Sequence, residues 1–145
     1  SDKKQVFKNL ALKLEKIIGT SPEDITEILY SNETSQHGAI GNGIAIPHLK
    51  LERLTKPLVI LARCDRAVEF DAVDHNPVDL ICLVLSPSHE ENGIHLRRLA
   101  KVSRFFNDQD FCQKLRNATS QEAIKSIVSD INARKSMQRN GMQVA

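Results

Sequence analysis

Seven of the eight residues from Val78 to Leu85, VDLICLVL, are apolar. Apolar and polar side chains do not alternate along this run, so neither face of the strand it predicts can meet water. A chain that contains it must place a layer of structure above the strand and another below.

The flanking sequence offers both layers. From Lys3 to Ile18 the residues Phe7, Leu10, Leu14, Ile17 and Ile18 recur at three- and four-residue steps, which predicts an amphipathic helix, and Gly19 suits a left-handed C-terminal cap. Ser21, Pro22 and two acids open a second helix through Ile25, Ile28 and Leu29. Downstream, Leu96, Leu99, Val102, Phe105 and Phe106 predict a helix over 94–106, with Arg97, Arg98, Lys101 and Arg104 on its polar side. A fourth helix is expected over 108–117 around Phe111 and Leu115. Thr119 and Glu122 read as a capping box for a fifth, through Ile124, Ile127, Val128 and Ile131.

Between these helical groups lie two further strands, Ile44–Ile46 and Leu58–Ala62, with a turn expected over 71–77. The polar, aperiodic stretch from Ser31 to Gly43 reads as a long loop. Strands gathered between two sets of helices predict an α+β fold, a three-layer α/β/α sandwich with a mixed β-sheet flanked by helices. The 145 residues, 41% of them hydrophobic, suffice for one core and not for two. Residues 1–132 are therefore expected to form a single domain and residues 133–145 a polar, flexible tail.

Charge narrows the function. A net charge of +2, from 20 basic and 18 acidic residues mixed along the chain, argues against nucleic acid as a partner. No apolar run approaches the roughly 20 residues of a membrane span, so no direct membrane insertion is expected. Cys64, Cys82 and Cys112 are odd in number and lack a C-x-x-C pair, which is how small apolar residues of a reduced, cytoplasmic protein look. The chain opens on Ser1 rather than Met, consistent with trimming.

His37, His48, His75, His89 and His95 include no i, i+4 pair or H-x-H pair, so no metal is called for. A G-x-S-x-G elbow is absent, and the GAIGNG run is neither a Walker loop nor a dinucleotide fingerprint. No cofactor is expected. What stands out is GNGIAIPHLK, residues 41–50. Pro47 fixes its own φ and biases Ile46 toward extended backbone, which aims the His48 ring from a strand end. Gly41 and Gly43 allow a close turn whose amides could face an anion. On these residues alone, a structural turn carrying a surface histidine accounts for the pattern as well as a reactive one does.

GIAIPH after a glycine-rich loop, then AVEFDAVDHNPVDLICLVLSP, then HLRRLAKVSRFF, in that order, resembles the enzyme IIA domain of the fructose/mannitol class of the bacterial phosphoenolpyruvate-dependent phosphotransferase system. The nitrogen-regulatory branch is the nearest likeness, and the match runs from about Lys3 to Ile131. The resemblance implies that His48 and His95 are the catalytic pair: His48 accepts a phosphoryl group from HPr or a paralogous carrier, and His95 lies beside it and helps hold that group. A neutral imidazole is a competent nucleophile near pH 7, and the transfer then needs alignment and positive or donor groups around the phosphoryl oxygens.

Two departures accompany the resemblance. The family carries an arginine sixteen residues before its reactive histidine, in a run like R-E-x-[LM]-G-S-T; this chain reads NETSQHG, with Asn32 in that place. An amide donates hydrogen bonds without charge, so His37 in the same stretch is a candidate replacement cation, and Asn32, His37, Gly41 and Gly43 together form the expected phosphoryl environment. The family also begins with a strand, for which this chain has almost no residues. The resemblance thus implies a phosphocarrier acting mainly in regulation, with a carrier protein as donor and a kinase or transporter as regulated target. Two alternatives stand beside it. One is a signalling module with reduced phosphorylation, because of Asn32. The other is a sugar-uptake component that passes phosphate to a IIB partner. An apolar docking patch near His48 would draw on Ile40, Ile44 and Leu49.

Overall fold

Successive residues of the central strand face opposite helical layers in the computed structural model, which describes residues 2–36, 39–70, 74–135 and 142–144. That strand is β5 (Val78–Pro87); before it in the chain come α1 (Lys3–Ile18), α2 (Pro22–Gln36), β1 (Ala39–Gly41), β2 (Ile44–Ala45), β3 (His48–Leu51) and β4 (Leu58–Val68), and after it α3 (Asn92–Phe106), α4 (Gln109–Asn117), α5 (Gln121–Lys135) and β6 (Met142–Val144). The sheet runs β1-β2-β5-β4-β6, with β3 also paired to β5. Parallel and antiparallel neighbours coexist, since β2 and β3 lie parallel to β5 and β4 lies antiparallel to it. The three-layer α/β/α sandwich with a mixed sheet is the architecture observed.

Each face of the sheet has its own core. Ile81, Leu83 and Leu85 pack with Leu49, Leu51 and Ile60 against Phe7, Leu10, Leu14, Ile25 and Leu29 of α1 and α2. Leu80, Cys82 and Val84 pack with Val59 and Leu61 against Val102, Phe105, Phe111, Leu115 and Val128 of α3, α4 and α5. Burial of a side chain such as Phe7, which is fully enclosed, contributes roughly 1.5–3 kcal/mol. This two-sided burial is why the VDLICLVL run carries almost no polar residue.

β2 and β3 are one strand interrupted. Ile44 pairs with Leu80 and His48 with Val84, so the offset between the two strands is unchanged across the break. Pro47 causes the interruption because it has no N–H to give to the ladder, although its carbonyl still accepts from the Val84 amide at 2.9 Å. His48 is therefore not at the end of a strand, as the sequence suggested, but at its resumption.

Three further expectations change. The Ser31–Gly43 stretch is not a loop: α2 continues to Gln36, because residues 31–36 contain no Gly or Pro and extending a nucleated helix costs little. Residues 39–45 then form a hairpin, whose Asn42-Gly43 turn has both residues at positive φ, 56° and 78°. That is the geometry of a two-residue hairpin loop, which Asn-Gly favours. Finally, α3 is rotated relative to its expected face: His95, Arg98, Val102, Phe105 and Phe106 point inward, and Leu96 is 61% exposed.

Smaller adjustments follow the same physics. β4 runs on to Val68 with a register shift after Arg63. Arg63 uses that stretch to donate from Nη1 to the carbonyls of Leu115 at 2.9 Å and Ala118 at 2.5 Å, which satisfies acceptors left open at the end of α4. The cap of α5 is Ser120, whose Oγ accepts from the Ala123 amide at 3.1 Å, and not Thr119. Beyond Ala133, where a tail was expected, α5 runs to Lys135 and β6 pairs parallel with β4.

Candidate functional site

The parallel pairing of β3 with β5 sets which side chains share a face. His48 stands opposite Val84 and Lys50 opposite Ser86, and Val84 belongs to the core under α3. With a side-chain period of two, His48, Lys50, Val84 and Ser86 all project toward that helix. Leu49 and Leu51, the alternate residues, enter the opposite core. His95 and Arg98, one turn apart on α3, descend onto the same spot; they are 6% and 5% exposed.

The result is a chain of polar contacts between the helix and the sheet. His48 Nδ1 and His95 Nε2 are 3.0 Å apart. The rings are tilted by 48° with centroids 5.1 Å apart, so they meet through their nitrogens and are not stacked. His95 Nδ1 lies 2.5 Å from Ser86 Oγ. Arg98 Nη1 donates to that same Oγ at 2.5 Å and to Glu90 Oε1 at 2.9 Å, while its Nη2 donates to Glu90 Oε2 at 3.0 Å. Lys50 Nζ donates to the Glu90 carbonyl and to Asn92 Oδ1, both at 2.7 Å, which ties β3 to the start of α3.

Burial pulls the His95 imidazole down from its ordinary value to about 4, and the neighbouring His48, Lys50 and Arg98 act in the same direction against the opposing Glu90 carboxylate. His95 is consequently neutral at pH 7 and can both donate and accept. Hydrogen bonds from Arg98 hold the Glu90 carboxyl below the usual range, with burial opposing. A site of this kind holds one imidazole by its Nδ1 edge against a neutral partner and places fixed donors nearby. Such geometry suits a histidine that receives and gives up a small anion.

The expected phosphoryl environment is only partly assembled here. His48 and His95 meet, although 47 positions separate them. Gly41 and Gly43 do not join them. Their turn lies at the start of β2, five residues before His48 in Gly43's case, or about 16 Å along an extended strand. The Asn42 amide there is taken by Asp74 Oδ2 at 2.7 Å, and Arg116 Nη2 donates to the Asn42 carbonyl at 2.7 Å. A carboxylate already occupies the donor that was expected to face an anion. Asn32 lies on α2 with its side chain outside the described residues, and His37 lies outside them altogether. Of the candidate docking residues, Ile44 and Leu49 are buried in the two cores and Ile40 is exposed.

Sequence reasoning passed over Lys50, Ser86, Glu90 and Arg98. Lys50 and Ser86 carry a readable signal, since each sits at even spacing along a strand from a residue of the same face. Arg98 falls one helical turn after His95, but its charge placed it on the solvent side of a helix whose inward face was set by Leu96.

A mixed sheet between two helical layers, carrying paired histidines where α3 meets β3, defines a class. The chain belongs to the family described as phosphoenolpyruvate-dependent sugar phosphotransferase system, EIIA 2, whose model matches residues 1–131. Among its relatives, a nitrogen regulatory protein of Bradyrhizobium diazoefficiens is 37% identical over 129 residues, covering 89% of this chain and 84% of that protein. The nitrogen regulatory protein of Escherichia coli (strain K12) is 33% identical over 129 residues, covering 88% and 78%. The crystal structure of the nitrogen regulatory protein IIA-Ntr from Neisseria meningitidis superposes with a TM-score of 0.79 at 31% identity, covering 88% of this chain and 86% of that one. Among the described residues, no helix is long and apolar enough to cross a membrane.

Proposed function

We propose that this chain is a histidine phosphocarrier that acts mainly in regulation, with His48 as the phosphoryl acceptor and His95 as its partner. The observation that carries the reading is the 3.0 Å approach of His48 Nδ1 to His95 Nε2. With its proton on Nδ1 and donated to His95, His48 has its lone pair on Nε2. That lone pair attacks the phosphorus of a phosphohistidine on an HPr-type carrier; the new N–P bond forms as the carrier's N–P bond breaks, and the carrier's ring regains its lone pair. His95, neutral and nearly buried, takes the Nδ1 proton's hydrogen bond as positive charge builds on the His48 ring.

Lys50 is the cation that answers the missing arginine at Asn32. It projects from the same strand face as His48, and its two observed hydrogen bonds go to uncharged acceptors, so among the described residues no carboxylate in contact cancels its charge. A phosphoryl group on His48 gains a positive neighbour without a guanidinium. The nitrogen regulatory relatives favour a regulatory over a sugar-uptake role.

Incubation with phosphoenolpyruvate, enzyme I and an HPr-type carrier, read by intact mass, tests the reading. One acid-labile phosphate per chain is expected, lost in His48→Ala. A wild-type chain that stays unmodified, while Asn32→Arg becomes modified, would instead favour the signalling module that binds a kinase or transporter without carrying phosphate.

A further inference from the structure

We infer that Arg98 is a positioning residue: acting through Ser86, it holds the Nδ1 edge of His95 and so delivers the Nε2 edge of that ring to His48. The inference rests on the reading of His48 as the phosphoryl acceptor.

Arginine has donors and no acceptor, so the roles at Ser86 follow in part. Arg98 Nη1 occupies one lone pair of Ser86 Oγ, and the fully buried hydroxyl is left with a second lone pair and one proton for His95 Nδ1. For His48 to attack through Nε2, its proton must sit on Nδ1 and be donated to a lone pair on His95 Nε2. His95 then carries its own proton on Nδ1, and Ser86 accepts it in the remaining lone pair. Ser86 Oγ is held between two N–H groups, and Glu90 fixes the far side of Arg98 through two oxygens.

Stability gives a poor account of the same arrangement. Arg98 fills an inward position of α3 between His95 and Val102, where an apolar residue would pack without desolvating a charge. Its Nε is buried with no partner among the described residues. A costly side chain in the core is expected where the site requires it. The electrostatics agree with the geometry. The titratable and charged groups facing His95 are His48 and Lys50 on β3, Glu90 before α3, and Arg98 on α3 itself; all but Glu90 favour the neutral ring. A neutral His95 has the lone pair that the His48 N–H needs, whereas an imidazolium would set two N–H groups against each other.

The test compares Arg98→Met, which keeps the aliphatic stem, with Ser86→Ala and the Arg98→Met/Ser86→Ala double variant. Two readouts are taken: the phosphoryl-transfer rate from the HPr-type carrier, and imidazole 15N shifts of His48 and His95 across pH 4–8. Arg98→Met is expected to slow maximal transfer roughly ten- to a hundredfold at an unchanged half-saturating carrier concentration. It should also raise the His95 titration, as a cation is removed and the Glu90 carboxylate is released, while burial, the largest cause of the depression, stays in place. Ser86→Ala should lose a similar factor in rate, and the double variant no more than the worse single one. Should Arg98→Met fail to fold, Glu90→Gln/Arg98→Met, which leaves no orphaned carboxylate, takes its place in the rate measurement, where the same slowing is expected and a wild-type rate overturns the inference. Wild-type rate and wild-type His95 shifts in Arg98→Met, or losses that multiply in the double variant, overturn the inference. A wild-type chain that takes no phosphate would end the His48 reading alone, because the 15N titration still decides whether Arg98 sets the state of His95.

Discussion

Lys50 Nζ reaches from the strand to the backbone carbonyl of Glu90 at 2.7 Å, so the residue two positions after His48 is bonded to the segment that leads into α3. The same ammonium holds Asn92 Oδ1 at the first residue of that helix. Strand and helix are thereby fixed to each other at the point where the two imidazoles meet. If Lys50 also supplies charge to a phosphoryl group, Lys50→Gln should slow phosphoryl transfer about tenfold or more, while an amide still bridges to Asn92. Lys50→Arg should recover much of the rate. Equal rates for wild type and Lys50→Gln in a stopped transfer assay would remove Lys50 from the mechanism.

His95 makes stability depend on pH in a defined window. Its proton binds near pH 4 in the folded chain, against an ordinary value of 6.5. Between those values the unfolded chain holds more protons, so stability falls as pH falls, by at most about 1.4 kcal/mol per pH unit. The Glu90 contribution is lost at lower pH, because its folded carboxyl titrates below the usual range. Urea unfolding at pH 7 and at pH 4.5 should show a drop in wild type that is clearly smaller in His95→Gln. An identical pH dependence in both proteins would mean that the ring is charged in the folded state.

The layers were legible because they depend on pattern alone. VDLICLVL required two covered faces, and the periods of α1, α4 and α5 supplied the covers. The site was legible by halves. A resemblance singled out His48 and His95, yet no periodicity places a strand residue against a helix residue 47 positions away; that contact is set by the β3-β5 register and by the rotation of α3. The rotation itself is not legible in the sequence, because Leu96 and Arg98 compete for the inward face and hydrophobicity decides such contests only where no polar network offers a partner. Ser86 and Glu90 provide that partner, and neither lies on the helix. The hairpin at 39–45 was hidden by its composition, although Asn42-Gly43 is a turn signal in its own right.

Gly43 is the more crowded of the two glycines of that hairpin. Its φ is +78°, and an added Cβ would stand 2.7 Å from Arg116 Nη2 and 3.0 Å from Asp79 Oδ1. Those atoms belong to a two-pronged ion pair, Arg116 Nε to Asp79 Oδ2 and Nη2 to Oδ1, each at 2.9 Å. Gly43→Ala must therefore strain the backbone and push the pair apart, at a cost of about 1–3 kcal/mol. Thermal unfolding should show a clearly lower midpoint for Gly43→Ala. A change within error would mean that the turn relaxes and that Arg116 can move without loss.

The start of α5 separates two neighbouring hydroxyls that the sequence does not distinguish. Thr119 with Glu122 satisfies the capping-box pattern, yet the structure gives the cap to Ser120: its Oγ accepts from the Ala123 amide, and its carbonyl accepts from the Ile124 amide at 3.2 Å. An N-cap side chain satisfies an amide that the helix leaves open, and its loss costs about 1 kcal/mol. Ser120→Ala is accordingly expected to lower the unfolding free energy by about that amount, Ser120→Asp to retain it through its carboxylate at the positive end of the helix, and Thr119→Ala to change little. Denaturant titration of the three variants measures the difference directly. Equal losses at 119 and 120 would place the helix start one residue earlier, and Glu122 would then be the residue that closes the box.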